Sequence, residues 1–404
     1  MKENTMEHKV GIDRMHLYIP PQYIEMEELA LARGIDPAKY TVGIGQSQMA
    51  VTDATQDIVM MAINAARPLL KEEDLNQIDQ VIVATESAFD YSKAAAIYVH
   101  EALGIHPYAR SYEIKEACYG GTAALLAACD YVRLRPDRKV LVITSDIARY
   151  GLATGGEPTQ GAGAVAMLIS SNPQIIAFDT KTTPYTNNQF DFWRPDYSPY
   201  PMVEGKFSTQ LYLDAFAQVV KQSAEKDPQL WESTQAIALH LPFTKMGLKA
   251  IRALREDLTE QVEAVKAIDR WESHYQALTA LSRRIGNIYT GSLYLGLLSL
   301  LCNDPTIKAG NQIGLFSYGS GAVAEWLSGK LQVGYQAGIL RKEVEDQLTS
   351  RRKLKIEEYE TLYRQALNES DSIQEYEPSV GQGDFYLARI DHHRRYYEQN
   401  HQAE

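Results

Sequence analysis

The sequence predicts an α/β fold, and three observations carry that prediction. Near-continuous apolar runs of strand length recur, helical patterns lie between them, and the order of elements repeats once along the chain. Residues 80–85 (QVIVAT), 139–144 (KVLVIT), 164–169 (AVAMLI), 236–241 (AIALHL) and 312–317 (QIGLFS) read as strands covered on both faces, because few polar residues interrupt them. In order, the first half reads strand 10–18, helix 52–70, strand 80–85, helix 92–103, short strand 112–114, helix 122–133, then strands 139–144 and 164–169. The second half reads strand 175–180, helix 209–224, strand 236–241, helix 244–254, helix 292–300, then strand 312–317 and a strand near Val323. Two pseudo-equivalent halves, 1–172 and 173–404, meeting at Asn172-Pro173, follow from that order. A duplication of this kind leaves room for a site between the halves.

Two stretches fit the repeat poorly. Residues 257–282 read as an inserted helical segment. Residues 341–370 are charged, with Val344, Leu348, Ile356, Tyr359, Leu362 and Leu367 near helical spacing, which predicts a solvated amphipathic helix packed on the body. The apolar stretch 293–301 is far below the ~20 residues of a bilayer span and reads as a buried helix.

Composition narrows the function classes. At ~150 residues per domain, 404 residues make two or three domains or one duplicated fold. Hydrophobic residues are 45% and charged residues 23%, enough apolar mass for a core without a membrane. The 40 basic and 52 acidic residues give 40 − 52 = −12, which opposes non-specific binding to nucleic acid or an anionic membrane. An anionic ligand therefore needs a local basic patch. Three irregularly spaced cysteines, Cys118, Cys129 and Cys302, argue against a disulfide framework and a four-cysteine zinc site, and adjacent His392 and His393 lack ligand spacing, so no metal is expected. No apolar segment follows Lys2, so neither secretion nor anchoring is signalled, and a reducing cytoplasm is expected.

The most informative local feature is EACYGGT followed by AALLAACDYV. It sets Cys118 just before a helix, whose unpaired N–H groups and dipole are expected to lower the thiol pKa and to hold an oxyanion. Cys129 and Cys302 lie inside apolar helices and read as buried core. A nucleophilic cysteine needs a base and a stabiliser of negative charge. Glu86 follows the run QVIVAT and is either that carboxylate or a solvated loop residue. His240 lies in AIALHLPF, where a satisfied core histidine is the alternative, and Asn287 in RIGNIYTGS precedes a helix it could simply cap. The segments GGEPTQGAG (155–163) and YGSG (318–321) follow neither dinucleotide nor P-loop spacing, so they read as backbone brought close to a ligand or thioester.

Taken together, EACYGGTAAL around Cys118, ATES with Glu86, EPTQGAGAVAML, ALHLPFTKMGLKA around His240, GNIYTGSLY, SYGSGAVAE and FDFWRPDYSPYPMVEGKFS resemble the 3-hydroxy-3-methylglutaryl-CoA synthases, over about residues 11–397. The resemblance implies the duplicated αβαβα core of the thiolase-like superfamily, and an acyltransferase that condenses acetyl-CoA with acetoacetyl-CoA and water to HMG-CoA and CoA, a step of the mevalonate route to isoprenoids. By the same resemblance Cys118 carries the acetyl thioester, Glu86 is the general base that removes a methyl proton, and His240 binds the acetoacetyl-CoA carbonyl and assists acid catalysis there. Asn287 matches a substrate-contacting amide, and the main-chain N–H groups of Cys118 and Ser320 match an oxyanion-stabilising pair. Lys249 and Arg33 resemble CoA contacts, with Lys245 added because it shares a helix face with Lys249. Thr159 and Ser208 match substrate-contacting hydroxyls, and Asp146 matches a carboxylate associated with acetyl transfer. A homodimer is implied, and no cofactor, since the CoA thioesters are substrates.

Two rival readings remain open on the sequence. A β-ketoacyl-carrier-protein synthase III-like enzyme also uses Cys, His and Asn, but its decarboxylating condensation needs no methyl-proton base, so Glu86 discriminates. A non-catalytic acyl-CoA-binding scaffold is the other, and turnover above a Cys118→Ser control separates it.

Overall fold

The computed structural model describes residues 9–367, 372–378, 381 and 383–400, and gathers the apolar runs into one ten-stranded sheet. The readings made for 1–8 and for 368–370 lie outside the described residues. In chain order the main strands are β1 (Gly11–Tyr18), β2 (Ile78–Ala84), β3 (Arg110–Ile114), β4 (Lys139–Ala148), β5 (Gly161–Ser170), β6 (Ile176–Phe178), β7 (Thr234–Leu239), β8 (Gln312–Gly319) and β9 (Val323–Leu331). Their order in space is β7-β8-β9-β6-β1-β5-β4-β2-β3, and a short strand, Thr183–Thr186, adds to β9.

From the centre outward, both flanks follow one plan. β1 and β6 pair antiparallel in the middle, and each then pairs antiparallel with the last strand of its own half, β5 or β9. Next come β4 and β8, again antiparallel, followed by β2 and β7 in parallel. β3 lies parallel to β2 at the outer edge and, among the described residues, has no counterpart beside β7. The fold is thus the duplicated α/β core that the element order predicts.

Side-chain alternation assigns the layers, since neighbouring residues of a strand point to opposite faces. The main helices of the two halves are α1 (Ile58–Ala66), α2 (Ala95–Ala102), α3 (Gly120–Leu134), α4 (Gly205–Lys226), α5 (Met246–Asp257), α6 (Val262–Ser273) and α7 (Ser292–Asn303). Val81, Val83, Leu141 and Ile143 pack with α1 and α2, whereas Ile82, Ala84, Val140 and Val142 pack with Ala124, Leu125 and Ala128 of α3. On β8, Ser317 accepts a hydrogen bond from Thr122 of α3 at 2.8 Å, while Phe316 and Tyr318 meet Tyr212 of α4 edge-on. Helices α3 and α7 therefore fill the middle, tied by the Thr122 and Tyr294 hydroxyls at 2.9 Å. Residues 292–302 of α7 are all buried, as the apolar run predicts. Among the described residues no helix is long and apolar enough to cross a membrane.

Three local differences have physical causes. Helix α1 starts at Ile58 rather than 52, because the Asp57 carboxylate accepts the N–H groups of Val59 and Met60, each at 3.0 Å, and caps it there. Over its described residues, 341–367, the charged stretch forms two helices, α8 (Arg341–Ser350) and α9 (Ile356–Arg364), instead of one. Between them Arg351 is buried, donating to Arg284 O at 3.1 Å and Gln48 Oε1 at 2.5 Å, and Arg352–Lys353 pairs as a strand with Gln22–Glu25. Finally, strands Phe385–Asp391 and Arg394–Gln399 fold back on α1, where Arg395 and Tyr397 bond the free oxygen of Asp57 at 2.6 and 2.5 Å. The segment 257–282 is helical, and α6 packs on β7 with the Trp271 indole N–H donating to Thr234 O at 3.0 Å.

Candidate active site

Cys118 lies just before α3, at the turn the EACYGG pattern predicts. Ala117 ahead of it has φ 42°, a left-handed backbone that a non-glycine residue rarely adopts, and the turn lifts the thiol toward the cavity. The glycines after it let α3 approach its neighbours: a Cβ on Gly121 would stand 2.5 Å from Thr290 O. Glu86, at the end of β2, receives the thiol hydrogen bond at 2.9 Å between Sγ and Oε1.

The electrostatics of this pair partly reverse the sequence-based expectation. Burial, followed by the adjacent Glu86 carboxylate, pushes the Cys118 thiol well above its ordinary range, so the helix N-terminus does not dominate there. Burial also raises Glu86 to about 8, reinforced by Asp146 and opposed by the Cys118 hydrogen bond and Arg194. Once Glu86 has ionised, the thiol keeps its own proton and points it at the carboxylate, because sulfur is the weaker acid of the two. Arg194 also donates to the Glu86 carbonyl and ties the segment after 190 to the base.

Asp146 supports Glu86 from beneath. One of its oxygens accepts Thr85 Oγ1 at 2.9 Å, Glu86 N at 2.7 Å and Ser87 Oγ at 2.8 Å, while the other accepts Thr290 N at 3.1 Å and Thr290 Oγ1 at 2.5 Å. It is fully buried and does not line the cavity, so its position fits support of the base rather than substrate contact. Burial raises its pKa to about 6 against the opposing effect of those donors.

The second half brings His240 and Asn287 to the same place. His240 follows β7 and is buried, with burial lowering its pKa to about 3, so the ring is neutral at ordinary pH. Its main chain is held by Phe316 O at 2.9 Å and by the Tyr212 hydroxyl at 2.6 Å. Asn287 donates to Tyr150 Oη at 3.3 Å and accepts Tyr289 N at 2.9 Å and Ser292 Oγ at 2.8 Å; the α7 start thus orients an amide that faces the cavity. Cys118, His240, Asn287, Thr159, Ser208 and Ser320 all line one cavity of about 570 Å³ with Tyr150, Phe192, Tyr212, Phe243, Tyr289 and Tyr318.

Glycine sets two of the close approaches around it. The expectation that 155–163 approaches a ligand is replaced at Gly161 by a protein neighbour, since a Cβ there would meet Asn287 O at 2.6 Å and Ile285 O at 2.7 Å. A Cβ on Gly319 would meet Tyr119 Cβ at 2.7 Å, so β8 ends directly against the Cys118 turn. Asp191 then fixes the loop beyond, accepting Ser208 Oγ at 3.1 Å, Tyr318 Oη at 3.1 Å and Gly321 N at 3.0 Å.

Besides Glu86 and Asp146, which stand behind Cys118, three predicted residues lie outside the cavity lining. Arg33 is committed to protein carboxylates, forking onto buried Glu157 at 2.8 Å through two nitrogens and reaching Glu360 at 2.6 Å. Lys245 sits at the N-terminus of α5, and exposed Lys249 stands 5.2 Å from the ring of cavity-lining Phe243. Sequence reasoning missed Tyr150, Tyr318, Asp191 and Arg194. Their signal is a cluster of aromatic and charged residues without periodicity, FDFWRPDY, and tyrosines placed just beyond strand ends or within them.

Residues 6–174 match the family model described as hydroxymethylglutaryl-coenzyme A synthase N terminal, and residues 176–263 and 253–400 match its C-terminal counterpart. A hydroxymethylglutaryl-CoA synthase of Enterococcus faecalis is 51% identical over 359 residues, covering 89% of this chain and 92% of the relative. PksG of Bacillus subtilis, a polyketide-biosynthesis 3-hydroxy-3-methylglutaryl-ACP synthase, is 31% identical and covers 88% of each chain. Among solved structures, an HMG-CoA synthase complexed with CoA superposes with a TM-score of 0.92 at 39% identity, covering 97% of this chain and 100% of the other. MvaS in complex with 3-hydroxy-3-methylglutaryl coenzyme A gives 0.89 at 36%, covering 98% and 100%.

Proposed function

The chain belongs to the hydroxymethylglutaryl-CoA synthase family and condenses acetyl-CoA with acetoacetyl-CoA to HMG-CoA; from that premise we propose how its own residues do so. The single observation that carries the assignment is the 2.9 Å contact between Cys118 Sγ and Glu86 Oε1 beside a cavity shared with His240. Cys118 attacks the acetyl-CoA carbonyl, its thiol proton leaves toward Glu86, and CoA departs as the thiol with that proton. The acetyl group remains as a thioester on Cys118. Glu86, a carboxylate once more, takes a methyl proton from it; a raised pKa suits a base acting on a weak carbon acid.

The enolate carbon then bonds to C3 of acetoacetyl-CoA. Neutral His240 serves this step as an N–H donor to the ketone oxygen, and the proton removed by Glu86 balances the one the new C3 hydroxyl gains. Main-chain N–H groups of Cys118 and Ser320 stabilise the thioester oxygen, with Asn287, Thr159 and Ser208 on the substrate. Lys249 and Lys245 are placed to meet CoA outside the lining. Water finally cleaves the Cys118 thioester, giving HMG-CoA and the free thiol. This chemistry uses no cofactor beyond the CoA thioesters, and its product feeds mevalonate and isoprenoid synthesis.

The proposal extends to cytoplasmic residence, to a division of the chain into two halves near 172, and to a homodimer. β3 lies at the end of the sheet with one edge unpaired among the described residues and partly exposed, which supports pairing with a second copy; sedimentation returning monomer at micromolar concentration overturns it. The catalytic reading is tested by incubating the protein with acetyl-CoA alone, locating the acetyl mass by peptide mass spectrometry, then adding acetoacetyl-CoA. An adduct on Cys118 that disappears as HMG-CoA forms is expected. No adduct overturns the role of Cys118, and an adduct without product moves the acceptor to a carrier-protein thioester.

A further inference from the structure

Helix α4 runs between two cavities. Gly205 and Ser208 in its first turn line the catalytic one, and Ser223 and Lys226 in its last turn line a second, of about 630 Å³. With 22 residues in the helix, ~33 Å separates its ends, so the second cavity is not an extension of the first. Its floor includes buried Phe178, Leu230 and Trp326. Its lining carries Lys9, Arg133, Lys181, Lys226 and Lys330 against Asp179 and Asp227, five cations and two carboxylates on a chain of net charge −12.

Little in the protein neutralises that concentration of charge. Arg133 pairs with Asp130 at 2.7 Å, but among the described residues no ion pair holds Lys9, Lys181, Lys226 or Lys330. Lys226 reaches only the Thr183 hydroxyl, at 3.5 Å, and one Asp179 oxygen is taken by Gln312 at 2.5 Å and Ser328 at 2.6 Å. Ser223 is 5% exposed, and among the described residues its hydroxyl has no hydrogen-bond partner. Buried polar atoms are normally satisfied, so this one is a place where a ligand oxygen would remove a deficit. Gathered like charges in a concave wall repel one another and focus a positive potential, which a bound polyanion relieves.

We propose that this cavity binds a multiply charged organic phosphate of the alkyl diphosphate class. Ammonium groups act as point charges for phosphate oxygens, and neighbouring Thr and Gln side chains supply neutral donors. The apolar floor accounts for the carbon part, which packs against Leu230 and Trp326. The volume lies within the range of small-molecule sites.

The test is calorimetric titration of the full chain with n-pentyl diphosphate and, separately, inorganic pyrophosphate. Pentyl diphosphate should bind below about 1 mM and at least about tenfold more tightly than pyrophosphate. The double variant Lys226→Glu, Lys330→Glu should weaken it by at least about tenfold while HMG-CoA formation without probe stays within about twofold of wild type. If that variant fails to fold, Lys226→Gln with Lys330→Gln should give a smaller loss in the same direction. Absence of binding overturns the site. Binding that these changes leave intact overturns it too, because the probe then sits elsewhere, and equal affinity for both probes overturns the role of the apolar floor.

Discussion

Asp146 accepts the main-chain N–H of Glu86 at 2.7 Å, so one buried carboxylate positions another. The same side chain accepts the N–H of Thr290, and the base in the first half is thereby fixed to the turn that presents Asn287 in the second. All five hydrogen bonds to Asp146 come from donors, and an amide nitrogen in place of one oxygen would face a donor instead. Asp146→Asn is therefore expected to destabilise the fold by about 2 to 4 kcal/mol, read by urea unfolding. It should also lower the apparent pKa of the Glu86 step, because the Asp146 charge helps raise it. A purely structural role would leave that pKa in place.

Glu86→Gln keeps a side chain of the same size and removes the base. Acetylation of Cys118 should slow, since the thiol then has no carboxylate to take its proton, yet still be detected in the mass spectrum, while HMG-CoA formation falls by about 10² to 10⁴-fold. Unimpaired condensation in this variant would remove Glu86 from the mechanism.

Cys118→Ser leaves the cavity intact and replaces the nucleophile. No acetyl adduct should survive acid quenching at position 118, and product formation should drop to background, at least about 10³-fold below wild type. Turnover near the wild-type rate would mean that no covalent intermediate on this residue is needed.

The pH dependence has two limbs of opposite origin. Glu86 is raised from 4.5 to about 8 in the fold, so the folded state holds a proton that the unfolded chain has lost; its stabilisation is present below 4.5 and disappears as pH rises through 8. His240 is lowered from 6.5 to about 3, so the unfolded chain binds the extra proton, and stability falls as pH drops below 6.5. Thermal unfolding should show Glu86→Gln flattening the alkaline limb alone and His240→Asn flattening the acid limb alone. The condensation rate on acetylated enzyme should rise with pH toward a plateau above about 8, as Glu86 ionises.

Gly161→Ala should cost about 3 kcal/mol or more, measured by denaturant unfolding, because the new Cβ would press on main-chain atoms at 2.6 to 2.8 Å. Gly155→Ala, where nothing lies within 4 Å, is the matched control and should change stability little.

The parts legible in the sequence are those that local patterning determines. Strands apolar on both faces, the Cys118 turn before α3 and buried α7 are all set by nearest neighbours along the chain. The direction of the Cys118 pKa was not legible, since burial and a carboxylate from another strand outweigh the helix end that the sequence shows. Arg33 resembles a ligand contact in isolation, and only folding brings it to Glu157, 124 residues away. Asp191 and Arg194 lie in a segment without periodicity, where partners such as Tyr318 and Glu86 are invisible until the halves meet. The break at Arg351 has the same origin, because its partner Gln48 is 303 residues distant.

The carboxylate of Asp57 has one oxygen on the first turn of α1 and the other on Arg395 and Tyr397. A ribosome making this protein releases α1 long before those two residues exist. Until then the second oxygen of the capping carboxylate lacks these two partners, and the part of α1 that strand Phe385–Asp391 covers stays open. That part of α1 cannot close before the 338 residues from Asp57 to Arg395 have been translated.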